Sequence, residues 1–364
     1  MPFDVREFPG GSLGDRTTGR SDRGLVATWL FAVAFMVLVM IVLGGVTRLT
    51  GSGLSIMEWA PFEGALPPLT NAEWQRLFHL YQQIPQYALV NEGFGLAGFK
   101  QIFWLEWIHR LWGRLIGFAF LVPLIWLWAT GRIERRLRPK LVLLFVLGGI
   151  QGAVGWLMVA SGFFPESTAV SPYRLVIHLA LALILYSALV WTGLSVLWPA
   201  SRPAAAHRPL HRMAWLGCSA IVLTMLAGGF VAGTRAGFAY NTFPLMDGRL
   251  LPQGYAVLRP FVRNLTENIP AVQFDHRLLA TFTVLVIAGI IACGLFSRPP
   301  RTTRFALIAL GIGAALQYTL GVATLLLVVP VALAALHQAV ATLLLTGGIV
   351  LLHATRSVPG RPTP

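Results

Sequence analysis

The sequence predicts an all-α polytopic membrane protein, with eight transmembrane helices arranged as two pseudo-symmetric four-helix bundles. Three observations predict it. Of 364 residues, 56% are hydrophobic and 12% charged, with a mean hydropathy of +0.69, whereas a soluble domain is about a quarter charged. Eight apolar runs reach the roughly 20 residues that a span needs. Short motifs of the first half of the chain recur in the second. The same numbers exclude an ordinary cytosolic enzyme, a disordered chain and a disulfide-stapled secreted module.

The stretch 1–24 mixes Asp4, Glu7, Asp15 and Asp22 with four arginines. This fits neither a secretory signal nor a transit peptide, so the first apolar run is expected to be retained as a span. The runs lie at about 25–46, 104–129, 141–160, 173–197, 214–232, 273–295, 305–328 and 332–353. None has a polar face to turn to water, which favours spanning over core helices. Cys218 and Cys293 both fall inside apolar runs and read as buried thiols. Between the first two runs, Trp74, Phe78 and Tyr81 recur at roughly helical spacing. That loop, 49–103, reads either as a lid or as an amphipathic helix on the outer membrane surface.

The 28 Lys and Arg against 14 Asp and Glu would suggest nucleic-acid binding in a soluble protein. Here the excess sits between apolar runs and orients the chain, so no nucleic-acid partner is expected. With the N-terminus inside, segments 1–24, 130–140, 198–213, 296–304 and the tail after 353 hold 17 of the 28, including Arg132, Arg135, Arg136, Arg138 and Lys140 in one loop. The opposite side holds seven, all in two long loops, where charge counts weakly. Both termini are therefore expected in the cytoplasm. The expected divisions are a cytoplasmic tail 1–24, an N-terminal half 25–197, a linker 198–213, a C-terminal half 214–353 and a tail 354–364.

The halves are visible as repeats. Gly44-Gly45 with Thr47-Arg48 and Pro61-Phe62-Glu63-Gly64 recurs as Gly228-Gly229 with Thr234-Arg235 and Pro244 to Gly248. Glu106 to Arg110 (EWIHR) recurs as Gln273 to Arg277 (QFDHR), Gln151 to Gly155 as Gln317 to Gly321, and Leu175 to His178 as Ala334 to His337. Four spans per half make the repeats parallel, related by an axis along the membrane normal.

Of eight histidines, His79, His207, His211 and His353 read as surface residues. His109, His178, His276 and His337 fall on the second, fourth, sixth and eighth spans at matching repeat positions, each roughly five residues past the expected helix start and so at one depth in the outer leaflet. Ionisable groups in spans are costly and tend to be functional. Two facing imidazoles without clustered Cys or carboxylate suit axial ligation of haem iron better than tetrahedral zinc, and Gly113, Gly117, Gly152 and Gly155 would let backbone approach a flat ligand. The expected pairs are His109 with His178 and His276 with His337. The bland reading is interhelical hydrogen bonding, which does not explain the fourfold recurrence.

Arg48, Arg110, Arg114, Arg174, Arg235 and Arg277 gather at the same edge and are candidate anchors for haem propionates. Snorkelling to lipid headgroups is the competing reading. Glu106 lies one turn before His109, where the other half has Gln273. A carboxylate in one half and an amide in the other suggests proton chemistry in the N-terminal half and a held cofactor in the C-terminal half. A structural hydrogen bond from Glu106 to His109 or Arg110 is the alternative.

Together, Gly44 to Trp59 (GGVTRLTGSGLSIMEW), Phe99 to Gly117, Gln151 to Gly162, Val170 to His178, Tyr240 to Gly248 (YNTFPLMDG), Gln273 to Arg277 and Leu320 to Gln338 resemble the haem A synthases of cytochrome oxidase assembly. The resemblance implies oxidation of the carbon-8 methyl of haem O to a formyl group through hydroxylated intermediates. It implies substrate haem at His109 and His178, Glu106 as catalytic carboxylate, and a haem B cofactor, hence iron, at His276 and His337. It further implies a bacterial inner-membrane location among lipids, with an electron acceptor, haem O synthase and a second copy of the chain as candidate partners. Some members carry a cysteine pair after the first span; this chain has no cysteine between Gly51 and Phe103 and resembles the cysteine-free branch. A di-haem membrane cytochrome passing electrons between quinones and an outer partner, or a haem carrier, would use the same histidine pairs without needing Glu106.

Overall fold

The computed structural model describes residues 13–60, 63–165, 167–198, 208–297 and 299–356. Its helices in chain order are α1 (Leu13–Leu49), α2 (Asn71–Gln82), α3 (Pro85–Val90), α4 (Leu96–Ala129), α5 (Arg138–Ala160), α6 (Pro172–Leu197), α7 (Arg208–Gly233), α8 (Asn264–Glu267), α9 (Ile269–Ser297), α10 (Arg301–Leu326) and α11 (Val331–Thr355). Eight of them, all but α2, α3 and α8, are long and apolar enough to cross a membrane. The described residues contain no strand, only an isolated bridge between Met246 and Arg249. The all-α, multi-span expectation holds.

Helix ends run past the apolar stretches. α4 begins at Leu96 rather than near 104, because Lys100, Gln101 and Glu106 dilute the apolar signal without breaking the helix. His109 therefore follows the first residue of α4 by thirteen positions, not about five. At the other starts, proline replaces a capping side chain: Pro172 opens α6 and Pro330 precedes α11. An absent N–H costs nothing there, where it would have no helical partner.

α1 packs on α4 and α6, and α5 on the same two, closing one ring. α7 packs on α9 and α11, and α10 on the same two, closing a second. The rings meet where α1 touches α11, α6 touches α7 and α6 touches α11. Burial follows this order: half of the apolar window of α11 is buried, against 6% in peripheral α5. Hydrophobic transfer cannot drive association between helices already surrounded by lipid, so close packing and a few interhelical hydrogen bonds must. Gly193 of α6 admits the Phe31 ring of α1, and Gly348 of α11 admits Cys218 of α7. Trp29 and Trp112 tie α1 to α4 by donating to Ala119 O and Met36 O, both at 2.9 Å. Cys218 is buried, as expected, whereas Cys293 is half-buried.

One surface assignment is overturned. His353 is only 6% exposed, because the end of α11 is wedged against α6. Its ring meets Trp191 edge-on at 5.2 Å, and its Nε2 lies 3.4 Å from Ser195 Oγ. His211 is half-buried, with Nδ1 3.1 Å from Thr355 Oγ1. His79 is exposed as expected; His207 lies outside the described residues.

The loop between α1 and α4 is a folded cap. α2 buries Trp74, Leu77, Phe78 and Tyr81 against Phe99, Ile102 and Phe103 on the N-terminal extension of α4, with Leu54 and Ile84 completing the cluster. The apolar face of α2 is thus spent on protein and not on the membrane surface. Thr70 caps α2 by accepting from Glu73 N, and Arg76 grips Glu58 through two 2.8 Å bonds while also bonding Glu73.

Two outcomes follow. Phe99→Ala removes a fully buried ring and should cost the cap about 3 kcal/mol or more. Chymotrypsin cleavage at Trp74 and Phe78 in membrane-embedded protein should accelerate by roughly a hundredfold. The hydrogen bonds from Arg76 hold the Glu58 and Glu73 carboxyls below their ordinary 4.5. Their contribution is complete above that pH and lost as pH falls through the lowered values, and at these exposed pairs it is under about 1 kcal/mol. Cap proteolysis measured against pH should show a small acid-side rise that Arg76→Gln abolishes.

Candidate functional site

Each of the four intramembrane histidines lies against a glycine on the preceding spanning helix. A Cβ built on Gly44 of α1 would stand 3.3 Å from His109 Nε2 on α4. One on Gly155 of α5 would stand 2.8 Å from His178 Cε1 on α6. In the second ring, Gly228 of α7 faces His276 Cε1 of α9 at 3.0 Å, and Gly321 of α10 faces His337 Cε1 of α11 at 2.9 Å. Within each ring the two imidazoles are close enough that a charge on one is felt by the other. His109 and His178 thus lie on helices of one ring, and His276 and His337 on helices of the other.

The remaining ring contacts also repeat. Gln151 Nε2 lies 3.4 Å from His178 Nε2, and Gln317 Nε2 lies 3.4 Å from His337 Nε2. The Nδ1 atoms of His178 and His337 are buried without a hydrogen-bond partner, an arrangement that costs free energy and calls for a reason. His276 Nδ1 lies 3.2 Å from Thr224 O. Of the four glycines expected to admit a flat ligand, only Gly155 touches a histidine. Gly113 meets Met40 Cε, and Gly117 and Gly152 have nothing within 4 Å of a built Cβ. Sequence reasoning missed Gly44, Gly228 and Gly321 in this role, although each stood inside a repeated motif.

Glu106 is 2% exposed and saturated with donors. Its Oε2 accepts from Ser55 N (2.7 Å), Ser55 Oγ (2.8 Å) and Ile56 N (2.9 Å). Its Oε1 accepts from Arg110 Nε (3.0 Å) and Nη2 (2.6 Å). Arg110 also donates to Ile56 O and Glu58 O. The alternative of a structural bond is therefore realised with Arg110, and the pair pins the start of the cap onto α4. Gln273 and Arg277 do the same in the second ring with opposite polarity. Gln273 Nε2 donates to Ala236 O (2.7 Å) and to Ala239 O, Gln273 Oε1 accepts from Arg277 Nη2 (2.7 Å), and Arg277 donates to Tyr240 O and Thr242 O. That loop turns through left-handed residues at Arg235 (φ 57°) and Tyr240 (φ 50°).

The other candidate arginines divide. Arg114 Nη2 donates to Ala60 O and Arg174 Nη1 to Leu157 O. Arg48 and Arg235, one from each repeat, lie close enough to repel each other. Neither guanidinium has a hydrogen bond or ion pair among the described residues. Next in sequence to Gly155, Trp156 stacks on Trp59 (6.0 Å, 16°), and Arg110 lies 5.5 Å over its ring. This aromatic wall was not anticipated.

Fold and site together define a multi-span helical membrane protein with two half-buried histidines on the helices of each four-helix ring. Residues 27–348 match the family described as cytochrome oxidase assembly protein, and the chain belongs to that family. It is 61% identical over 342 residues to the heme A synthase of Granulibacter bethesdensis, covering 93% of this chain and 90% of that protein. It is 48% identical to the heme A synthase of Rhodospirillum centenum (91% and 88% covered) and 46% identical to heme A synthase 2 of Acidiphilium cryptum (92% of each).

The glycine contacts generate a test. Gly155→Ala and Gly321→Ala place a methyl under 3 Å from His178 and His337, so the imidazoles must move. Haem extracted per chain should fall by about half in each variant, while Gly149→Ala, an exposed position with open space around it, should leave the content unchanged.

Proposed function

We propose that the chain is a haem A synthase, an oxidoreductase that converts the carbon-8 methyl group of haem O to a formyl group through hydroxylated intermediates. The observation that carries this reading is the pair of histidines in each ring, set in a chain 61% identical to a protein named heme A synthase.

The residues fit a haem. Each ring offers two imidazoles and no competing cluster of His, Cys, Asp or Glu among the described residues. The Nδ1 atoms of His178 and His337 are buried without a hydrogen-bond partner, and the glycine beside each of the four imidazoles gives that ring its space between the helices. In this assignment His109 and His178 hold the substrate haem O, and His276 and His337 hold haem B. When bound, haem B supplies one-electron redox chemistry. Arg48 and Arg235 are the strongest propionate anchors of the six arginines: two like charges brought together without an acceptor call for an anion. Arg110 and Arg277 serve their loops instead.

Glu106 is assigned as the catalytic carboxylate of the substrate ring. Its tether to Ser55, Ile56 and Arg110 fixes it one turn before His109, and the folded cap above α4 excludes water from that region. The two rings constitute the N-terminal half 25–197 and the C-terminal half 214–353, related by a two-fold axis along the membrane normal. In this reading the long loops lie outside and both termini lie in the cytoplasm of a bacterial inner membrane, and the excess of Lys and Arg on the segments next to the termini supports that orientation.

The test is pigment analysis of the protein purified from cells that make haem O. Haem A or its hydroxylated precursor together with haem B is expected; haem B alone, with no haem A dependent on the protein, would sink the assignment. Glu106→Gln should retain haem in both rings while haem A formation falls at least a hundredfold, and continued haem A production in that variant would remove Glu106 from the chemistry.

A further inference from the structure

Gln338 follows His337 on α11 and crosses the seam between the rings. Its Nε2 donates to Ile41 O of α1 at 2.8 Å, an interior helix carbonyl whose second lone pair remains available. Its Oε1 and Cδ occupy the place where a side chain at Gly45 would begin, so that any Cβ there would overlap them. The preceding residue, Gly44, is the one that faces His109. Consecutive helical residues point about 100° apart, so one step along each helix separates the contact within a ring from the contact across the seam. His337 and Gln338 on α11 are thereby joined through Gly45 and Gly44 on α1 to His109.

The related seam has the same construction without the hydrogen bond. Leu179, which follows His178, and Val176 lie 3.1 Å from a Cβ built on Gly229, whose neighbour Gly228 faces His276. The polar member therefore points one way only, from the second ring toward the first. Gln338 is half-buried, an amide among apolar helices is costly unless it is bonded, and the bond to Ile41 O forms only when α1 stands in one register.

We propose that Gln338 is a positioning residue for the histidine site of the opposite ring. By pinning α1 at Ile41 and Gly45 it sets where Gly44 stands against His109, and so the orientation in which that imidazole meets its ligand. The inference rests on the assignment of His109 and His178 as ligands of the substrate haem.

The test uses the full-length purified protein carrying Gln338→Leu, which reproduces the apolar interlock made by Leu179, and separately Gly45→Ala. Haem content is measured by extraction, and the low-spin iron signals of the oxidised protein are recorded by electron paramagnetic resonance, with His109→Ala and His276→Ala assigning a signal to each ring. Expected are near-unchanged haem content, a shifted g-tensor for the ring of His109 in both variants, an unshifted signal for the ring of His276, and about tenfold less haem A per chain. An unshifted signal for the ring of His109, or a shift confined to the ring of His276, would overturn the proposal, since Gln338 would then serve only its neighbour His337. If His109→Ala removes no signal, the ligand assignment itself fails and the proposal with it.

Discussion

A large polar ring can sit between membrane helices only if the facing helix gives up its side chain, and this chain does so four times. Gly44, Gly155, Gly228 and Gly321 each stand where a methyl would crowd an imidazole at 2.8 to 3.3 Å. The rest of the bundle depends on that closeness. The helix pairs that carry these contacts, α1 with α4, α5 with α6, α7 with α9 and α10 with α11, are sides of the two rings. The second glycine of the Gly44-Gly45 and Gly228-Gly229 pairs receives a side chain from the other ring. One local steric rule thus shapes both the interior of each ring and the seam between them.

Two physical regimes hold the molecule together. The seam around Leu30, Leu189, Leu345 and Ile349 is packed in surroundings as apolar as itself, so its cohesion comes from shape and from hydrogen bonds such as Tyr186 to Thr346 at 2.6 Å. The cap over α4 is different. Tyr81 and Phe99 are fully buried there in a segment that would otherwise meet water, and burial of each large side chain contributes about 1.5 to 3 kcal/mol. The cap therefore folds by the ordinary hydrophobic effect on a platform built by the membrane-packed part. The aromatic spacing of α2 serves the protein and leaves little for lipid.

Features governed by periodicity or repetition were legible in the sequence. The eight spans are long apolar runs, and the histidines recur with their flanking residues, so the number of spans and the repetition of the histidines could be read directly. The features that stayed hidden depend on contacts between distant segments. Glu106 meets amide groups about fifty residues earlier in the chain, and nothing in its own helix announces them. His353 is buried by α6 although its sequence position is that of a helix end. The polar residues that masked the start of α4 are the same ones that carry it up into the cap. For Glu106 in particular, an alternative that the sequence left open proved to be present in space, with Arg110 as the partner.

The exchange of Glu106 for Gln273 between the repeats has a cause in backbone polarity. The loop after α1 presents N–H groups to α4, from Ser55 and Ile56, and only an acceptor can satisfy them. The loop after α7 presents carbonyls to α9, from Ala236 and Ala239, and only a donor can. Arg110 and Arg277 accompany them one turn later and bond the same loops in both rings. A carboxylate in the first ring and an amide in the second would therefore be selected even if neither touched a substrate. Asymmetry alone is consequently weak evidence for catalysis, and the case for Glu106 in the chemistry rests instead on its place one turn before His109. A loss of product on substitution identifies a chemical role only when the cap stays closed, so the state of the Ser55–Ile56 tether decides how any variant at Glu106 is interpreted.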